Sequence, residues 1–256
     1  MALLPNNLRK HVLKMVSDKG SGHIGGSFSI AELTCYLYNE FDLINKDKLI
    51  LSKGHAVPIL YAALFEMGII SDLSIFREVD SPLQGHPDKQ RLKYMHATTG
   101  ALGQGISLAI GHAIGSKLRK SDRNIFCIVG DGELQEGQVW ESFMLAPKYD
   151  LDNLICFIDN NKAQNDGYTT DILDMGDLEQ KIKSFDWHTV TVDGHNIEEI
   201  REAVTSRPRR KPTCVILDTI KGKGVSFMEN PSWHAKAPNE QEYKDALEEL
   251  EDESNS

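Results

Sequence analysis

The chain has 256 residues, 40% of them hydrophobic and 26% charged, with a formal net charge of -10. That length and apolar content suffice for the core of one large α/β domain, and the acidic balance argues against a nucleic-acid groove. No continuous apolar stretch is long enough for a bilayer and the N-terminus has no signal-peptide profile, so the expected location is the cytoplasm, with no membrane partner.

Leu8, Val12, Met15 and Val16 recur at helical spacing and predict an opening amphipathic helix. It runs into a glycine-rich loop, Gly20-Ser21-Gly22-His23-Ile24-Gly25-Gly26. A second helix is expected from Ser29, an N-cap with Glu32 at capping-box spacing, and Leu33 and Leu37 form its apolar face. Leu49-Ile50-Leu51 predicts a strand ending in Ser52-Lys53-Gly54-His55, with a helix resuming through Leu60, Leu64 and Met67. Residues 81–99 read as a loop containing Gly85-His86-Pro87, followed by Thr98-Thr99-Gly100-Ala101-Leu102-Gly103-Gln104-Gly105 and a small-residue helix through Ala109, Gly111 and Ala113.

Two apolar runs, Ile125 to Val129 and Leu154 to Ile158, predict buried strands. The first ends in Gly130-Asp131-Gly132-Glu133 and the second in Asp159-Asn160-Asn161. Further strands are expected at Thr189 to Val192 and Cys214 to Leu217, with a helix from Ile197 to Val204 between them. Beyond Gly222 the chain becomes irregular, then forms a short terminal helix and an acidic tail, Glu248 to Glu253. Alternating strands and helices of these lengths predict a single α/β domain, 1–256, with a mostly parallel sheet covered by helices on both faces. Cys35, Cys127, Cys156 and Cys214 have no CxxC spacing; reduced, buried cysteines are the expectation, not a zinc site or disulfides.

Alone, Gly130-Asp131-Gly132 and Asn160-Asn161 are ordinary turns. Together they are more specific. Each follows an apolar strand, and one crossover helix fits between them, so the turns meet if the strands are parallel neighbours. Asp131, Asn161 and a backbone carbonyl near Ala163 would then present hard oxygens suited to Mg²⁺ or Ca²⁺ shared with phosphate. His23, His55, His86 and His234 all lie in loops, where imidazole can handle the hydroxyl and carbonyl protons of a sugar. His11 and His112 lie in helices and His195 in a turn, and these are read as structural.

These motifs, in this order, resemble the N-terminal, diphosphate-binding domain of transketolase, a thiamine diphosphate (ThDP) enzyme. The resemblance also takes in Gly132-Glu133-Leu134-Gln135-Glu136-Gly137, Lys221-Gly222-Lys223-Gly224 and Trp233-His234. It implies that Asp131, Asn161 and the Ala163 carbonyl hold the metal, with Gly130, Gly132 and Glu133 around the diphosphate. His55 and His234 would contact the diphosphate near the thiazolium, and His23 and His86 would bind donor hydroxyls. Gly100, Ala101 and Leu102 would approach the aminopyrimidine, Ile220 would pack near the cofactor, and Glu136 would join an acidic network at a subunit interface. Ile24, Ala163 and Asn165 depart from the family pattern, which commonly has proline at the first position and bulkier or apolar residues at the others.

The resemblance further implies that the activating glutamate and the pyrimidine-binding domain belong to a second chain. The expected protein is therefore the N-terminal subunit of a split transketolase, an α₂β₂ assembly moving a two-carbon ketol unit from a ketose phosphate to an aldose phosphate. The alternatives are another ThDP enzyme and a non-catalytic, regulatory ThDP-binding subunit. The first could be a specialised ketol transferase, a deoxyxylulose-phosphate synthase-like enzyme or a 2-oxoacid dehydrogenase E1. The histidine set favours sugars over simple 2-oxoacids.

Overall fold

The computed structural model describes residues 2–252. Helix α1 (Pro5–Lys19) has proline in its first turn and closes on Gly20, whose φ of 60° is left-handed, the asymmetry expected of helix ends. A short α2 (Gly25–Phe28) and α3 (Ala31–Glu40) precede strand β1 (Lys48–Leu51) and α4 (Pro58–Glu66). After a long loop come α5 (Gln104–Leu118), β2 (Ile125–Gly130), α6 (Gly137–Lys148) and β3 (Leu154–Asn160). A small antiparallel pair, β4 (Ala163–Gln164) and β5 (Gly167–Tyr168), leads to α7 (Thr169–Leu173) and α8 (Leu178–Lys183). Strand β6 (His188–Asp193), α9 (Ile197–Thr205), β7 (Thr213–Asp218) and α10 (Glu240–Asp252) complete the chain.

The main sheet has the order β1-β2-β3-β7-β6 and is parallel throughout. Successive side chains on a strand point to opposite faces, so β1, β2, β3 and β7 each serve two cores. Leu49, Leu51, Phe126, Ile128, Ile155 and Phe157 join the core under α1, α3, α4, α9 and α10. Ile50, Ile125, Cys127, Val129, Cys156 and Cys214 join the other, under α5, α6 and α8. Burial on both faces explains why the strands read as unbroken apolar runs. Cys127, Cys156 and Cys214 stand opposite one another across β2, β3 and β7, and with Cys35 they are free and buried, as expected.

Several details differ from the sequence reading. Helix α3 starts at Ala31, and Ile30 precedes it without any side-chain cap. The Ser29 hydroxyl is engaged elsewhere: it donates to the Asp159 carboxylate at 2.7 Å and lies 3.2 Å from the Gly26 carbonyl. Glu32 is likewise not a capping residue; it receives the Arg9 guanidinium at 2.6 Å. Met67 lies just past α4 and is exposed. The acidic residues 248–252 belong to α10 rather than to a tail, and Glu253 lies outside the described residues. Among the described residues, no helix is long and apolar enough to cross a membrane.

Candidate active site

The parallel register places the carboxyl ends of β1, β2, β3 and β7 at one edge, pairing Gly130 with Asp159 and Asn160 with Asp218. Loops leaving this edge are where an α/β sheet binds ligands. Asp159 is fully buried at its centre. Its Oδ2 accepts from the Lys53 ammonium, from Ser29 Oγ at 2.7 Å and from Asn161 Nδ2 at 2.7 Å, while Oδ1 accepts from Thr219 Oγ1 at 2.5 Å. Burial alone would raise its pKa, but the Lys53 charge and these hydrogen bonds outweigh it, so the carboxyl is held below its ordinary value.

Above Asp159 lies a cleft of about 280 Å³ whose walls include Lys53, His55, Asp131, Asn161, Ala163, Lys221 and His234. The Asp131 side chain accepts from the Gly132 N–H at 2.7 Å through Oδ1, whereas Oδ2 is buried with no donor. Burial, then the neighbouring Asp159 charge, pushes Asp131 up to about 7. Asn161 Oδ1 faces the Ala163 N–H at 3.1 Å, and the Ala163 carbonyl accepts from Lys221 Nζ at 2.8 Å. An unpartnered carboxylate oxygen, an amide oxygen and a carbonyl that already draws an ammonium form a donor set for a hard cation. It contains one carboxylate, and among the described residues no group of three or more His, Cys, Asp or Glu is arranged to hold a metal.

The four loop histidines form one cluster. Ring centroids are 5.2 Å apart for His23 and His55, 5.5 Å for His23 and His234, 4.9 Å for His55 and His234, and 6.2 Å for His23 and His86. Burial followed by the Arg77 charge lowers His23 to about 4; burial followed by the Lys221 charge lowers His234 to about 3. Burial and the Lys53 charge bring His55 well below its usual value, and burial and Arg77 lower His86. The cluster is neutral near pH 7 and offers hydrogen bonds rather than charge. His234 Nδ1 lies 2.8 Å from Lys221 Nζ, which makes that nitrogen the acceptor.

Of the remaining expected residues, Leu102, Gly130, Gly132, Glu133 and Glu136 border the cleft. Gly100 packs beside the His86 ring, Ala101 is exposed next to it, and Ile220 is exposed with its N–H donated to His195 Nε2 at 2.9 Å. Glu133, on the cleft wall, has both its carboxylate oxygens engaged by donors from the chain itself.

Sequence reasoning missed Lys53, Asp159, Lys221 and Ser29. Both lysines lie within the motifs quoted above, Lys53 two residues before His55 and Lys221 at the head of Lys221-Gly222-Lys223-Gly224, so a charge inside each motif was the available signal. Asp159 and Ser29 gave none, because their partnership spans 130 positions. His195, read as structural, connects Glu32 to Ile220 through its two ring nitrogens.

A doubly covered parallel sheet with cations, an unpartnered carboxylate and polar turns at its carboxyl edge defines an α/β domain built for a phosphate-bearing cofactor. Residues 2–253 match the family described as transketolase, thiamine diphosphate binding domain. The chain is 42% identical to the 6-deoxy-6-sulfo-D-fructose transketolase subunit SqwG of Clostridium sp. (strain MSTE9), over 97% of this chain and 95% of that protein. It is 40% identical to an apulose-4-phosphate transketolase subunit from Actinobacillus succinogenes, over 96% and 93% respectively. The solved transketolase of Campylobacter jejuni superposes with a TM-score of 0.89 at 29% identity, covering 96% of this chain and 42% of that one. The chain therefore belongs to the transketolase family and carries its thiamine diphosphate-binding domain. It spans nearly the whole of the two named subunits but about two fifths of solved transketolases such as that of Campylobacter jejuni.

Proposed function

We propose that this chain, as a single domain, is the cofactor-anchoring subunit of a two-chain transketolase located in the cytoplasm. One observation carries the reading: a single cleft brings the unpartnered Asp131 oxygen and the Lys53 and Lys221 ammoniums beside a cluster of neutral histidines. Asp131, Asn161 and the Ala163 carbonyl hold Mg²⁺, with Ca²⁺ as a substitute, and Lys53, Lys221 and the Gly132 backbone face the diphosphate. When bound, ThDP supplies the carbon nucleophile for breaking and making the bond next to a carbonyl.

The chain's own side chains bind and orient. Neutral His23 and His86 can donate to or accept from the hydroxyls of a ketose, and His55 and His234 can do so near the reacting carbon. Gly100 to Leu102 face the ring end of the cofactor. A second chain brings the pyrimidine-binding domain and activating glutamate in an α₂β₂ assembly, a reading supported by the near-complete coverage of proteins named as subunits. The names of those relatives, a sulfofructose and an apulose phosphate transketolase, favour a ketose donor here too.

The test is calorimetric titration of ThDP with Mg²⁺ into the chain and into Asp131→Asn. Loss of about tenfold or more in the variant is expected from removing the charged ligand; equal affinities would remove Asp131 from the metal site. Purified alone, with both cofactors, the chain should transfer no ketol unit, and vigorous single-chain turnover would dismiss the partner.

A further inference from the structure

Glu133 is 3% exposed, and its carboxylate is met by donors alone. Oε1 accepts from the Ser52 hydroxyl at 2.5 Å and from the Gly103 N–H at 2.8 Å; Oε2 accepts from the Gly130 N–H at 3.1 Å. Three donors with no acceptor fit the ionised, acceptor-only form. The donors belong to three separate segments. Ser52 directly follows β1 and precedes Lys53 and His55; Gly130 ends β2 and precedes Asp131; Gly103 closes the Gly100 to Leu102 turn and leads into α5.

Taking a carboxylate out of water is costly, and a fold needing only to fill this space would be served by an apolar side chain. What an apolar side chain cannot do is hold three backbone segments at fixed mutual distances. Gly103 shows how close the fit is: its φ is +78°, and a Cβ there would lie 2.8 Å from Glu136 Cβ. The turn thus lies close against the start of α6, and Glu133 is its polar link to the anchor.

We propose that Glu133 is a positioning residue that sets the span between the Gly100 to Leu102 turn and the Lys53–Asp131 anchor, and so the fit of a cofactor bound at both ends. This rests on the reading that the cleft takes ThDP. A ligand with only a diphosphate feels the anchor, whereas one with a ring at the far end feels the span as well. Glu133 therefore governs affinity for the whole cofactor more than for its diphosphate fragment.

The experiment compares inorganic pyrophosphate and ThDP, each with Mg²⁺, by calorimetry on the chain and on Glu133→Gln, Glu133→Ala and Ser52→Ala. Glu133→Ala should weaken ThDP about tenfold or more beyond any loss it causes for pyrophosphate, the scale of lost hydrogen bonds to a charged group. Glu133→Gln keeps an acceptor oxygen but turns an N–H₂ towards one of the donors, so its loss should lie between; Ser52→Ala should follow in the same direction. Glu133→Gln carries the test if the alanine variant does not fold. Equal losses for both probes, or no loss for either, overturn the positioning role. Failure of the unsubstituted chain to bind either probe, both alone and with the partner subunit present, would instead overturn the cofactor reading beneath it.

Discussion

Lys221 Nζ donates to the Ala163 carbonyl at 2.8 Å, so an ammonium rests on an oxygen proposed above as a metal ligand. Burial, then the Lys53 charge, lowers Lys221 to about 8, so it remains mostly cationic at pH 7. In the metal-free protein it offsets the acidic pair Asp131 and Asp159. On the proposed reading, a divalent ion entering the site would compete with it for the carbonyl and be repelled by its charge, while an incoming phosphate would be attracted.

Lys221→Met should therefore shift two affinities in opposite directions. Binding of Mn²⁺ alone should tighten, and binding of ThDP with Mg²⁺ should weaken, each by roughly tenfold on the scale of one charged contact. Calorimetry with the two titrants reads both. A shift of the same sign in both would show that Lys221 does not compete with the metal.

The histidine cluster predicts acid sensitivity. For His23, His55, His86 and His234 the folded pKa lies below the unfolded value near 6.5, so protonation favours the unfolded chain. Stability from this source is fully present above about pH 6.5 and is lost as pH falls towards 4. For His23, moving from 6.5 to about 4, the contribution is at most about 3 kcal/mol. Urea denaturation across pH 4–7 should show the slope, and His23→Asn should flatten it. An unchanged slope would mean that His23 is charged or exposed in the folded chain.

Lys53 and Asp159 form an ion pair with side chains 2% and 0% exposed. Lys53→Met leaves Asp159 charged and buried without its cation, which costs about 3–5 kcal/mol. Adding Asp159→Asn to that variant should recover part of the loss, because the amide carries no charge to desolvate. Denaturant midpoints of the single and double variants decide the matter; strictly additive losses would argue that the two groups do not interact.

Gly105 sits in the first turn of α5, and a Cβ there would come 2.5 Å from Ser52 Cα. Gly105→Ala gains up to about 1 kcal/mol of helix propensity. The collision is with backbone rather than a flexible side-chain tip, and forcing α5 off β1 costs about 1–3 kcal/mol. Net destabilisation is expected, visible as a lower melting temperature; a higher one would show that α5 can shift freely.

The strands were legible because a parallel sheet covered on both faces leaves its mark as uninterrupted apolar runs, as in β2 and β3. The Asp131 and Asn161 turns were legible because one crossover helix separates two such runs. Ser29 was misread because a capping box is a local pattern, whereas the bond its hydroxyl makes to Asp159 depends on how distant segments pack. The internal hydrogen bonds of Glu133, which borders the cleft, were illegible for the same reason. Its neighbours in sequence border the cleft too, and the donors that claim it arrive from the residue after β1 and from the start of α5.

The row of thiols across β2, β3 and β7, with Cys35 in the opposite core, doubles as a clock. All four sulfurs are sealed beneath helices, so a water-soluble alkylating reagent reaches them only when the protein opens. Labelling rate then reports how often the central sheet is breached, and Cys35 reports separately on the other face. Run with and without ThDP and Mg²⁺, the same clock measures how firmly a ligand at the sheet's edge locks the strands that hold it.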